Sequence, residues 1–400
     1  MPTAAAQSET DNHEGEMLLH DCQHAKLGEV CVPTTGTRDP RRTPNQHFHY
    51  VDISSVDNRM KRVTEAKRLL GSDAPSRARQ VIRAKDVLVA TTRPNLNAVA
   101  LVPEELDGEI CSTGFCVLRS NGKVEPEFLF AFVQSDLFVR TLSDLVKGAL
   151  YPAVTDRQVL AQQIPLPPLA EQRRMAVRLR EQLAAVAQAR AAVQAQSETL
   201  DTLSHAVLRE SLSNGNTQPV RFADCLREIT EGIGDDWHSF PVLGATRAGL
   251  APAKEGVGKN PGRYKPVRAG TIFYNPMRIL LGSIAMLDED DTPGITSPDY
   301  VVMTAVEGRL DARWFYQWFR SRYGAEFIKC MTRGAVRERL MFRRLAPTTI
   351  VLPDYRRQQT AAAQFAEIKK AKAKLAEQLE TLDRLPAALL REAFGKEPMI

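Results

Sequence analysis

The 400-residue sequence lacks any run of 18 apolar residues, so no segment is expected to cross a membrane as a helix. Met1–Glu16 is polar and acidic with no apolar stretch, which excludes a secretory signal and predicts a loose tail over 1–20. Cysteine is sparse: Cys22, Cys31, Cys111, Cys116, Cys225 and Cys330 form no CxxC pair. That excludes a dense disulfide framework and fits small buried thiols in a reducing cytoplasm. Cys22 and His24, taken with His47 and His49, match no standard zinc spacing, so no metal site is expected. Charge of one sign is missing too. The net charge is +5; residues 21–168 hold 19 Lys/Arg against 17 Asp/Glu, and residues 220–352 hold 19 against 15. Near-neutral halves with local basic clusters suit a chain that reads nucleic acid more than one that coats it.

Catalytic patterns are also wanting. Pro353-Asp354 followed by Glu367-Ile368-Lys369 has the spacing of a nuclease carboxylate set, but the second part lies in a helical repeat that puts Glu367 and Lys369 toward solvent. Asn275-Pro276-Met277-Arg278 lacks the second proline and the aromatic of an adenine-methyltransferase loop. Gly256-Val257-Gly258-Lys259-Asn260 lacks the spacing and the Ser/Thr of a phosphate-binding loop. Seven histidines suggest no Ser-His-Asp set. No catalytic residue is expected.

What is present is a duplication. Apolar residues make up 43% and charged residues 25% of a length that suits two globular domains with connectors. At an offset of 185, Ile110 falls on Ile295, Ser112 on Ser297, Phe115 on Tyr300, Val117 on Val302 and Leu129-Phe130 on Trp314-Phe315. At 186, Gly148 meets Gly334, Ile164 meets Ile350, Leu166-Pro167 meets Leu352-Pro353 and Gln172 meets Gln358. At 182, Leu203, Arg209-Glu210 and Leu212 meet Leu385, Arg391-Glu392 and Phe394. Order kept over a whole half marks an internal repeat.

Each half begins with short β-type runs, such as Val87-Leu88-Val89-Ala90 and Thr271-Ile272-Phe273-Tyr274. One amphipathic helix follows, near 126–145 and 311–328, then a proline-marked strand end and a long helix. Residues 169–212 contain neither Pro nor Gly and are rich in helix formers. Leu179, Leu183, Val186, Val193, Leu200 and Val207 are the apolar members of a series of positions stepping by 4 and 3, as are Phe365, Ile368, Leu375, Leu379, Leu382 and Leu389. That is a coiled-coil seam. Pro386 is expected to kink the second helix or start its last turn. Helices of about 40 residues span roughly 60 Å, on the order of 18 base pairs, and pair most simply antiparallel. The expected fold is α+β: two tandem mixed α/β domains, 21–168 and 218–353, separated by two long helices, 169–213 and 354–396, that form an antiparallel coiled coil.

The segment Ile164-Pro165-Leu166-Pro167-Pro168-Leu169-Ala170-Glu171-Gln172 opens the first long helix, and Leu385-Pro386-Ala387-Ala388-Leu389-Leu390-Arg391-Glu392-Ala393-Phe394-Gly395 closes the second. Both resemble the conserved regions of the specificity subunits of type I restriction-modification systems. Lys26-Leu27-Gly28-Glu29-Val30, Gly36-Thr37 and Tyr50-Val51-Asp52-Ile53-Ser54-Ser55 are similar to the start of a target-recognition domain in that family. The copy at Val351–Gln358 keeps the glutamine and lacks the Pro-Leu-x-Glu part. The resemblance implies that each half reads one part of a split site on double-stranded DNA. It also implies helices that dock two methyltransferase subunits carrying S-adenosylmethionine, and motor-nuclease subunits that join with ATP and magnesium. The chain itself would hold no cofactor. Leu166, Pro167, Pro168, Leu169, Gln172 and Gln358 are the docking candidates it implies. The competing expectation is a coiled-coil scaffold or decoy that binds protein alone.

Bases are read bidentately by Arg, Lys, Asn and Gln, while Ser, Thr and backbone amides mostly hold phosphate. Basic clusters beside turn residues are therefore the DNA-contact candidates. In the first half they are Thr35, Gly36, Thr37, Arg38, Arg41 and Arg42; Arg59, Lys61 and Arg62; Arg77 and Arg79; Arg93 and Asn95; and Lys147 with Tyr151. In the second they are Arg247, Lys254, Lys259, Arg263, Asn275 and Arg278, with Arg333 and Arg337.

Overall fold

The computed structural model describes residues 22–33, 36–213, 217–332 and 339–395; the expected tail lies outside them, as do Thr35, Arg333 and Arg337. The chain divides into two compact units, residues 1–191 with 379–400 and residues 192–378. Each unit holds one globular half, the start of one long helix and the end of the other.

Besides a short hairpin of Val56–Asp57 with Arg62–Val63, the strands of the first unit are β1 (His24–Lys26), β2 (His47–Val51), β3 (Lys67–Leu70), β4 (Ala78–Val81), β5 (Val87–Ala90), β6 (Val99–Leu101), β7 (Ile110–Ser112), β8 (Phe115–Leu118) and β9 (Gln163–Pro165). One sheet has the order β3-β2-β7-β4, with β2 and β7 parallel and the other pairs antiparallel. A second has the antiparallel order β8-β5-β6, and β1 pairs with β9. All four residues of β5 are buried. Successive side chains of a strand point to opposite faces. Val87 and Val89 accordingly enter the core beneath the helices, and Leu88 and Ala90 enter a separate core with Phe115 and Val117.

The second unit repeats the central part. Its strands are β10 (Gln218–Arg221), β11 (Leu226–Glu228), β12 (Leu243–Thr246), β13 (Gly249–Pro252), β14 (Lys265–Val267), β15 (Thr271–Tyr274), β16 (Ile284–Met286), β17 (Gly294–Thr296), β18 (Val301–Ala305) and β19 (Thr349–Leu352). The order β11-β18-β15-β16 contains the counterpart of β8-β5-β6, and β10 pairs with β19 as β1 does with β9. The register confirms the sequence offset of 185. Val89 faces Val99 and Cys116, and Tyr274 faces Ile284 and Val301.

The single amphipathic helix expected in each half is two helices. They are α1 (Pro126–Gln134) and α2 (Asp136–Asp144) in the first unit, and α4 (Ala312–Arg320) and α5 (Arg322–Thr332) in the second. A serine makes each break. Ser135 Oγ accepts from Phe138 N at 3.3 Å, and Ser321 Oγ accepts from Tyr323 N at 3.1 Å, so each serine caps a new helix instead of continuing the old one. From Pro126 and Ala312 onward the structural offset is 186, which sets Phe128, not Leu129, opposite Trp314; both are fully buried.

The long helices are α3 (Leu169–Ser213) and α6 (Tyr355–Phe394). Within the first unit, Met175, Ala176 and Leu179 share a core with Leu390, Ala393 and Phe394, and Arg190 pairs with Asp383 at 3.2 Å. Within the second, Val207 and Leu208 share a core with Ala361, Phe365 and Ile368, and Lys372 pairs with Asp201 at 2.5 Å. In both units the helices run antiparallel. α6 continues through Pro386, which lies inside it, to Phe394. Beyond it, Leu390, Ala393 and Phe394 are about 95% buried, with Phe394 against Phe128 and Phe132 at ring-centroid separations of 5.3 and 5.6 Å. Burying each large side chain gives about 1.5–3 kcal/mol, enough together to offset the ~3 kcal/mol cost of an internal proline.

Candidate nucleic-acid interface

The basic candidates of the first unit fall in two neighbouring groups joined by backbone hydrogen bonds. In one, Thr37 bridges Gln80 and Arg38 N donates to Arg79 O at 2.9 Å. Asp39 caps the turn at Pro40–Arg42, which lies against Gly71; a Cβ there would stand 2.3 Å from the carbonyl oxygens of Pro40 and Thr43. Gly36 has φ +81°. Arg38, Arg42 and Arg77 are exposed, with no side-chain partner among the described residues. Arg79 is not free: it donates to Asp39 Oδ1 at 2.9 Å. Arg41 Nε is likewise committed to Ala74 O at 2.9 Å. These two build the loop rather than offering a vacant fork.

The other group collects three loops. Arg93 N donates to Pro152 O, and Val154 N donates to Thr91 O, each at 2.8 Å. This brings the turn carrying Arg93 and Asn95 beside the loop carrying Lys147 and Tyr151. From the hairpin bearing Arg59 and Arg62, Asn58 Nδ2 donates to Leu96 O at 3.4 Å and Lys61 Nζ donates to Asn97 O at 2.6 Å. Lys61 therefore braces the turn. Burial pushes its ammonium down to about 8, with Asp57 opposing. Thr91 N donates to Gly114 O and Thr113 N to Arg77 O, both at 2.9 Å, which ties the two groups together. Leu150 and Tyr151 are 87% and 84% exposed.

The second-unit candidates separate. Arg247 is at the β12–β13 turn, where its Cγ faces Gly282, and so it joins the loop of Asn275 and Arg278. Asn275 Oδ1 accepts from Met277 N at 3.0 Å, shaping that loop rather than projecting from it. Lys254 follows the far end of β13, about 10 Å along the hairpin. Lys259 and Arg263 lie in the next segment, whose turn at Pro261–Arg263 packs on that at Gly234–Ser239. Exposed arginines or lysines thus mark two places on this unit.

One correspondence escaped the sequence reading although the offset of 185 carries it. The turns Pro94–Leu96 and Ile279–Leu281 each follow the central strand of the repeated sheet. Arg93 and Arg278 precede them, and the left-handed residues Asn97 (φ 45°) and Gly282 (φ 79°) close them.

A model of the type I restriction modification DNA specificity domain matches residues 20–188. The EcoKI specificity subunit of Escherichia coli K12 is 28% identical over 205 residues, 50% of this chain and 43% of that protein's length. A chain from a structure of complex assembly and conformational transition of the type I R-M system is 29% identical with TM-score 0.68, covering 94% of this chain and 98% of that one. The HsdS subunit from Thermoanaerobacter tengcongensis is also 29% identical, with TM-score 0.56 over 97% and 100%. The S subunit from M. genitalium, at 11% identity and TM-score 0.53, shares the fold. By these comparisons the chain is similar to specificity subunits of type I restriction-modification systems.

Two of the docking candidates turn inward. Gln172 is 1% exposed. Its Oε1 accepts from Glu125 N at 2.8 Å, and its Nε2 donates to Pro167 O at 2.8 Å and Lys123 O at 3.4 Å. Gln358, also 1% exposed, repeats the set 186 residues on, with Asp311 N at 2.8 Å, Pro353 O at 2.9 Å and Arg309 O at 3.2 Å. Each glutamine latches the first turn of a long helix to the segment entering α1 or α4. Leu166 packs on the core and Pro167 is buried, leaving Pro168 and Leu169 on the surface. Asp354 caps α6 by accepting from Arg357 N at 3.0 Å. Lys369, an exposed side chain, bonds to Asp288, whose Oδ1 also accepts from Arg313 Nε at 3.1 Å and Nη2 at 2.6 Å. These groups line a cleft of about 430 Å³ with Tyr316 and Phe365. Among the described residues no three His, Cys, Asp or Glu side chains gather as a metal site, and no helix is long and apolar enough to cross a membrane.

Proposed function

We propose that this chain is the non-catalytic DNA-recognition subunit of a type I restriction-modification complex. Each unit reads one part of a two-part site on double-stranded DNA. The long helices set the separation of the parts and dock two methyltransferase subunits. Those subunits bring S-adenosylmethionine, and endonuclease-translocase subunits joining them bring ATP and magnesium chemistry. The carrying observation is the repeat: one sheet, one helix pair and one glutamine latch, made twice in register by different sequences. A fixed frame under variable loops suits two readers of unlike half-sites. Arg38, Arg42, Arg59, Arg62, Arg77 and Arg93 in the first unit, and Arg247, Lys254, Lys259, Arg263 and Arg278 in the second, are exposed and supply the cations. Pro168 and Leu169 remain the surface candidates for docking.

The test is reconstitution with the methyltransferase subunits and mapping of the methylated bases. Transfer that needs this chain and falls on one split motif supports the proposal. Methylation that is the same without the chain refutes it and favours the protein-binding scaffold.

A further inference from the structure

The repeated turns combine features that a merely structural turn does not need. Pro94 and Ile279 occupy the same place in their turns and are buried, anchoring them. Arg93 and Arg278, one residue before, are exposed. Two residues after the anchor, Leu96 and Leu281 are 47% and 70% exposed. A methionine adds to each tip: Met60 (54%), on the hairpin that bonds to Leu96 O and Asn97 O, and Met277 (57%), within the second loop. A single exposed leucine needs no explanation. The same leucine beside the same arginine, at the same point of two diverged units, does. Both tips sit among cations: Arg59, Lys61 and Arg62 around the first, Arg247 against the second. That surrounding charge selects a polyanion over an apolar protein face.

We infer that the Arg93–Leu96 and Arg278–Leu281 turns are the paired base-reading tips of this chain, one for each half-site. The arginine forks onto the acceptor edge of a base, and the leucine and methionine lie against the neighbouring base, as a thymine methyl contact or as a wedge at a base step. Lys61 is a positioning residue that holds the first tip through Asn97 O. The inference rests on the DNA-recognition reading above.

The experiment uses the complex with its methyltransferase subunits and two double variants, Arg93→Ala with Leu96→Ala and Arg278→Ala with Leu281→Ala. All four side chains are exposed, so neither pair should disturb folding or assembly. Sequencing that detects methylated bases in single molecules gives each variant's motif. The expected result is that one pair relaxes base choice within one half-site, by roughly 5- to 150-fold in methylation of mismatched against matched sites. The other pair should do so within the other half-site. Three results overturn the inference: both variants keep the wild-type motif and rate, either relaxes both half-sites equally, or either prevents assembly and so marks a protein contact. A wild-type complex with no split motif instead refutes the recognition reading, and the inference falls with it.

Discussion

Replacing Gln172 by leucine should unfasten the first long helix from its recognition unit. The amide is 1% exposed, so water cannot take over its bonds. Leucine leaves Glu125 N–H and Pro167 C=O, held at 2.8 Å each, without partners. Each orphaned buried backbone group costs about 1–3 kcal/mol. The added apolar contact of leucine offsets about 1 kcal/mol. The net loss is therefore about 1–5 kcal/mol, at least ~5-fold in the local opening equilibrium. Native-state hydrogen exchange reads it directly: the Glu125 amide should exchange at least ~5-fold faster in Gln172→Leu, with the Asp311 amide unchanged. Gln358→Leu should give the converse, because the two latches share no partner. A Glu125 amide in Gln172→Leu that exchanges within about 3-fold of wild type refutes the latch.

Arg38→Ala with Arg42→Ala should weaken DNA binding by the complex at moderate salt and flatten the slope of log affinity against log salt by up to about 1.8; an unchanged slope removes that loop from the interface. Lys61 should titrate in the folded chain near pH 8 by NMR of its side chain, against the ordinary 10.5. The unfolded chain then binds more protons between those values, so this group makes stability rise with pH across the window; a folded midpoint near 10.5 refutes the burial. At Asp288, burial pushes the carboxyl up, but the bonds from Lys369 and Arg313 outweigh it and the net direction is down. Its contribution to stability is present above the unfolded value and is lost as pH falls through the folded one. Asp288→Asn should cost about 1–3 kcal/mol at pH 7, less than a fully buried pair because Lys369 is exposed, and progressively less as pH falls below the ordinary aspartate value; a pH-independent difference contradicts this.

The repeat, the alternation of Val87–Ala90 and the heptad spacing of the long helices were legible because each is a local pattern repeated in the chain. The interruption of each shorter helix was not. Ser135 and Ser321 sit inside apolar periodic runs, and only the folded backbone shows them capping new helices. The roles of Arg79 and Lys61 were also hidden, since their partners Asp39 and Asn97 lie 40 and 36 residues away. Gln172 and Gln358 were visible as a matched pair, but spacing carries no direction, and both point into the protein rather than toward a partner. Arg93 and Arg278 each stand in a basic cluster of the sequence; their equivalence lies in the offset of 185, and the coincidence of the two turns makes it plain.

The most direct measurement exchanges residues 22–168 for the matching segment of a relative with a different target and maps the bases methylated by the reconstituted complex. If each unit reads its own half-site, the chimera will change one half of the motif and keep the other half and the spacing. A motif that changes in both halves, or in neither, contradicts the account.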